Sequence, residues 1–159
     1  MRKRLWLYAL LLALVLLLGG CAQRTSAMKD GYYTAEVAEY DEHGWKEYVT
    51  ILVKDGRIIT AEYNASNISG FIKSWDISYM RDMNAVDGTY PNEYTRAYAA
   101  DLLEAQSPDG VDMISGATHS YATMTQLSAA AIERAQAGDH SVAQVTVDEW
   151  WRELEGENE

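Results

Sequence analysis

Three runs with a period of two, 32–40, 45–53 and 57–63, constrain this chain more than any other feature. Each is rich in aromatic and β-branched residues, which fit a pleated, half-buried surface. The links between them are short: Asp41-Glu42-His43-Gly44 in the first gap and Lys54-Asp55-Gly56 in the second. A parallel crossover needs a dozen residues or more, so links this short leave only antiparallel hairpins. Asp55-Gly56 is a strong tight-turn dipeptide, because glycine accepts positive φ without a steric penalty. The expectation is a three-stranded antiparallel meander with one face packed and one face wet.

The partner for the packed face lies further along. Tyr94, Tyr98, Leu102 and Ala105 recur at helical spacing and predict an amphipathic helix running to about Gln106, with Asn92 as its N-cap and Glu93 in its first turn. Ser107-Pro108-Asp109-Gly110 reads as a turn. Beyond Thr118, Met124, Leu127, Ala131 and Ala135 form the stripe of a second helix that Gly138 should stop. The fold expected is therefore α+β: an antiparallel β-sheet covered by two main helices in a single domain spanning 31–138. In the remaining stretch, 139–159, a last strand is expected at 141–147, and Asp148 should cap a short helix carrying Trp150, Trp151 and Leu154. Between meander and helices, 64–91 lacks periodicity. Phe71, Trp75 and Tyr79 there either pack as core at helical spacing or wall a flat ring.

The start of the chain bears on where the domain works. Arg2, Lys3 and Arg4 precede an apolar run over 5–18 that is short for a membrane span and suits the core of a signal peptide. Leu18-Gly19-Gly20-Cys21 resembles a bacterial lipobox, which implies a lipoprotein signal peptide over 1–20, a diacylated Cys21 and a lipidated tether over 21–30. Cys21 is the one cysteine, so no intramolecular disulfide is expected and the core must hold by packing. The formal charge is −11, and loss of Arg2, Lys3 and Arg4 with the signal makes it more negative by three. An acidic domain of this kind is repelled by nucleic acid and by anionic headgroups. His43, His119 and His140 have no paired spacing, and no metal site is expected.

Chemistry concentrates in Asp112-Met113-Ile114-Ser115-Gly116-Ala117-Thr118, followed by His119 and Ser120, between the turn and the second helix. A helix entrance exposes backbone N–H groups and the positive end of the dipole, which suits a phosphate. Gly116 and Ala117 keep side chains out of the way. By the residues alone, Ser115 or Thr118 can equally be an ordinary N-cap. Asp-x-x-Ser-Gly-Ala-Thr resembles the flavinylation motif of the FMN-binding domain family, which includes subunits of sodium-pumping NADH:quinone reductases and Rnf complexes and many membrane-anchored lipoproteins. The resemblance spans 31–138 and implies FMN joined by a phosphoester to Thr118. It also implies that Asp112 is recognised by a flavin transferase or its metal-bound donor, and that Ser115 is the better cap once Thr118 is esterified. His119 and Ser120 stand beside the phosphate, and Phe71, Trp75 and Tyr79 are candidate ring contacts. The implied function is electron relay on the extracytoplasmic face of the cell membrane, between a membrane redox partner and another acceptor, with the acyl chains of Cys21 in the bilayer. The rival readings are a ligand-binding surface lipoprotein or antigen without covalent flavin, and an FMN-dependent reductase with its own substrate.

Overall fold

The computed structural model describes residues 27–149, so the expected signal peptide, Cys21, Trp150, Trp151 and Leu154 lie outside the described residues. The meander is present as β1 (Gly31–Val37), β2 (Lys46–Lys54) and β3 (Arg57–Ser66), paired antiparallel with Gly31 opposite Val53 and Val49 opposite Tyr63. Asp55 (φ 51°) and Gly56 (φ 72°) both take positive φ, the backbone of a two-residue hairpin turn whose twist matches the strands. Tyr33, Ala35, Val49, Ile51, Val53, Ile58 and Tyr63 are buried on one face. On the other, Thr34 and Thr50 join hydroxyls at 2.9 Å, a cross-strand pair suited to a wet surface.

A fourth strand, β4 (Ala143–Val145), pairs parallel to β1, giving the order β3-β2-β1-β4 and a mixed, largely antiparallel sheet. It is shorter than the expected 141–147. β1 ends at Val37 opposite Val145, so the ladder has no partner further on, and Ser141 N–H is taken by the Asp139 carboxylate at 2.9 Å. At the opposite edge, the Gln106 side chain accepts from Ile58 N–H at 2.8 Å and donates to Ile58 C=O at 3.0 Å. It stands in for a neighbouring strand and blunts part of the free edge of β3.

The buried face is covered by α2 (Pro91–Ala105), which lies on β3, and α3 (Thr118–Ala137), which lies on β1 and β2. Tyr94, Tyr98 and Leu102 of α2, with Met124, Leu127, Ala131 and Ala135 of α3, are buried as their spacing predicts. Each large apolar side chain removed from water contributes about 1.5–3 kcal/mol, so this layer of contacts holds the sandwich closed. Ala105 departs from its stripe and is exposed, because Gln106 turns into the left-handed region (φ 60°) and ends the helix. The N-cap is Tyr90 rather than Asn92: Pro91 takes the first helical position, where its missing N–H costs nothing. Gly138 (φ 72°) ends α3 as expected.

The aperiodic segment 64–91 holds a 3₁₀ turn (Lys73–Trp75) and a helix, α1 (Ile77–Asp87). No residue of α1 is buried, so it carries no apolar stripe for the sequence to display. Local chemistry bounds it instead: the Asp76 carboxylate accepts from Tyr79 N–H at 3.0 Å, and Gly88 (φ 73°) closes it.

Candidate functional site

The Asp112 to Thr118 stretch is braced from beneath by one phenol. Tyr98, fully buried on α2, accepts from Ile114 N–H at 3.2 Å and donates to Ala117 C=O at 3.1 Å. Between those contacts the loop closes on itself through Ala117 N–H to Ile114 C=O at 3.0 Å. Burial pushes the Tyr98 phenol up to about 12, so it keeps the proton this brace needs. Val111 and Ala117 tuck into the core, while Asp112, Met113, Ser115 and Gly116 are exposed.

Gly116 has φ 81°, and a Cβ there would lie 2.5 Å from Asp87 C=O and 3.0 Å from Asp87 Cβ. The motif is thus pressed against the C-terminal end of α1, and no side chain fits at this position. Gly116→Ala is expected to cost about 2–5 kcal/mol, from a left-handed backbone term of roughly 1–2 and an overpacking term of about 1–3. Urea unfolding checks it, and a midpoint equal to the parent's would show that the loop does not bear on α1.

Thr118 is the first residue of α3 and is partly exposed. The N-cap is Ala117, and no side chain caps it. Neither Ser115 nor Thr118 plays the capping role open to it on sequence, because the chain enters the helix one residue after Gly116 with Ala117 as the half-turn. Ser120 differs from its neighbour Thr118. It is buried, its carbonyl accepts from the Tyr63 phenol at 2.9 Å and its side chain bonds to Tyr94. His119 is exposed, and Asp112 N–H donates to the Asp101 carboxylate at 3.3 Å. His140 stacks on Tyr33 with centroids 4.8 Å apart.

The three ring-contact candidates separate. Phe71 and Trp75 meet edge to face, with centroids 6.5 Å apart, and stay 43% and 64% exposed, so they are not core. Trp75 borders an open cleft of about 280 Å³ between the free edge of β3 and the outer flank of α2, where Arg96, Ala99 and Leu103 line the wall. Tyr98 and Asp101, which reach the motif, lie on the other flank of that helix. Tyr79 stands apart from both: its ring lies under the Lys73 ammonium, 5.2 Å from the centroid.

Sequence reasoning missed the polar cluster under the first turns of α3. The Tyr63 phenol lies 2.8 Å from Glu47 Oε2 and 2.9 Å from Ser120 C=O, so its one proton serves one acceptor at a time. Burial holds the Glu47 carboxyl above its usual range, opposed by the charge of Lys73 and by hydrogen bonds with Tyr63 and Thr123. Tyr63 and Tyr94 are also pushed up, chiefly by burial. A lysine in an aperiodic segment gives no sign of burial, which is why Lys73 escaped notice.

No protein-family model matches the chain. It is 34% identical, over 128 residues, to the 15 kDa lipoprotein of Treponema pallidum (strain Nichols), a match covering 80% of this chain and 89% of that protein. The crystal structure of the CPE2226 protein from Clostridium perfringens is similar with a TM-score of 0.72 and 36% identity, covering 76% of this chain and 99% of that one.

Proposed function

The chain belongs to the family of the Treponema pallidum 15 kDa lipoprotein, and we propose that it is a lipid-anchored, extracytoplasmic flavoprotein carrying FMN on Thr118, the anchor resting on that kinship and the flavin on the sequence motif alone. The observation that carries the reading is the complete Asp112 to Thr118 motif, with its last hydroxyl on the first residue of a 20-residue helix. The geometry supports a phosphoester there. Thr118 is partly exposed, Gly116 adds no side chain, and the N-cap offers no competing side-chain oxygen. The dipole of α3 favours a phosphate at that end. Bound flavin supplies the one- and two-electron chemistry; the chain supplies tether, surroundings and charge. Tyr98 holds the acceptor loop in shape, and Asp112, exposed beside it, is available for recognition by a flavin transferase.

The test is the intact mass and visible spectrum of the protein exported alongside a flavin transferase. A yellow protein heavier by one FMN is expected. A colourless protein of unmodified mass would replace this reading with the second one, a ligand-binding surface lipoprotein. The Treponema relative is named as a lipoprotein with no mention of flavin, and so stands closer to this second reading.

The anchor has its own prediction. Cys21→Ser is expected to leave an unprocessed precursor or to release the domain from membranes, read by fractionation and by incorporation of labelled palmitate. A variant processed and held like the parent would remove Cys21 from the account.

A further inference from the structure

We propose that the end of the domain bearing Thr118 is held away from the bilayer, and that the exposed ridge of Ile68, Phe71, Trp75 and Ile77 on that end docks a basic, water-soluble protein; this rests on the Cys21 anchor of the reading above and not on the flavin. The tether enters the fold at the opposite end. Lys29 N–H donates to Ala135 C=O at 2.9 Å and the Lys29 ammonium to Ala137 C=O at 2.9 Å, which fastens the chain to the last turn of α3. Met28 reaches the hairpin between β2 and β3, its carbonyl oxygen 3.8 Å from where a Gly56 Cβ would stand. Thr118 begins the same 20-residue helix, whose length is about 30 Å. Cys21 lies seven residues before Met28, a span of about 23–25 Å at full stretch. Turning the domain over would take a tether at least as long as the helix. The acyl chains therefore hold the Ala137 end towards the lipid and leave the Thr118 end in water.

The segment 67–88 crosses this far end. It starts beyond Ser66, the last residue of β3, which bridges to Ile72, and α1 closes it with Asp87 pressed on Gly116, two residues before Thr118. Its first turn is built firmly: the Asn67 carboxamide oxygen accepts from Ser69 N–H at 2.9 Å and from Phe71 N–H at 3.0 Å, and Gly70 has φ 77°. That turn displays Ile68, 87% exposed, and Phe71, which meets Trp75 edge to face; Ile77 follows, 68% exposed. Large apolar side chains gathered in one short segment and fixed before contact mark an interaction surface, because little ordering entropy is lost on docking. Lipid is the wrong occupant, since the tether leaves the ridge on the aqueous side. Charge selects the kind of protein. From Asp76 to Glu93 four carboxylates stand with one basic side chain, Arg81. A partner with a basic rim around an apolar contact is drawn in, and an acidic one is repelled.

Two measurements on the lipidated protein in phosphatidylcholine vesicles test this. Acylation of Cys21 leaves an introduced cysteine as the one free thiol for a fluorophore. With a quencher on the lipid headgroups, a label at Lys54→Cys, by the hairpin, should lose most of its emission, and a label at Ser69→Cys, at the tip of the ridge, should lose little; both positions are exposed. Equal quenching, or the reverse order, overturns the orientation. Ferric cytochrome c, a basic water-soluble protein, is the docking probe. It should bind the vesicle-held protein with an affinity that falls as salt rises, and Trp75→Ala should weaken that binding about tenfold. Ile68→Ser is the second variant at an exposed position, where folding is not at stake. No binding, a salt-independent affinity, or parental affinity in both variants overturns the docking surface. The protein is made without a flavin transferase, so failure of the Thr118 reading leaves both results standing. A protein that does not float with the vesicles overturns the anchor and this inference together.

Discussion

Thr118→Val is expected to abolish the flavin mass increment completely in protein co-expressed with a flavin transferase. Valine keeps the β-branched shape and removes the one atom the phosphoester needs. Because Thr118 is partly exposed and makes no capping bond, stability should change by no more than about 0.5 kcal/mol, the range for surface substitutions. The loss of modification is then a loss of chemistry, not of fold. Thr118→Ser restores a hydroxyl at the same helical position and should restore part of the increment. Ser115→Ala is the control. Ser115 is exposed and does not cap α3, so neither loading nor stability should fall appreciably. Peptide mass spectrometry decides: a modified Thr118→Val protein, or a flavin mapped to Ser115 or Ser120, ends the assignment.

The second large effect is expected at Tyr98. Its phenol serves Ile114 N–H and Ala117 C=O together from a fully buried position. Tyr98→Phe leaves Ile114 N–H without its partner, at a cost of about 1–3 kcal/mol for a polar group left unpaired, while Ala117 C=O keeps its bond from Tyr121 N–H at 2.9 Å. Tyr98→Ala adds a cavity where the ring touched Tyr63, Tyr94 and Tyr121, and about 3–5 kcal/mol is expected for losing a buried aromatic ring. The two variants separate roles, since Tyr98→Phe keeps the ring packed while releasing the loop. Its flavin loading should drop even under conditions where urea unfolding shows the domain intact. Full loading in folded Tyr98→Phe would show that the acceptor loop holds its shape without the brace.

The meander was legible because a strand reports its own burial every second residue, and because Asp55-Gly56 allows one kind of hairpin. The stripes of α2 and α3 were legible for the same reason at a different period: Tyr94, Tyr98 and Leu102, like Met124, Leu127 and Ala131, each declare a buried face. The motif ending at Thr118 was legible as a string of residue types. Where burial is missing or partners are distant, the sequence is silent. The helix Ile77–Asp87 buries no residue and left no periodic trace. β4 takes its place through a partner a hundred residues earlier, Ala35 with Ala143, and a three-residue strand is too short to announce that pairing. The spacing of Tyr98 puts its ring inside but does not say that its hydroxyl braces the loop after Val111. Glu47, Tyr63, Lys73 and Ser120 come from a central strand, an edge strand, a 3₁₀ turn and a helix entrance. Only the packing of α3 across the sheet brings Ser120 to Tyr63 and Glu47, because hydrogen-bond contacts depend on distances in space that no local pattern encodes.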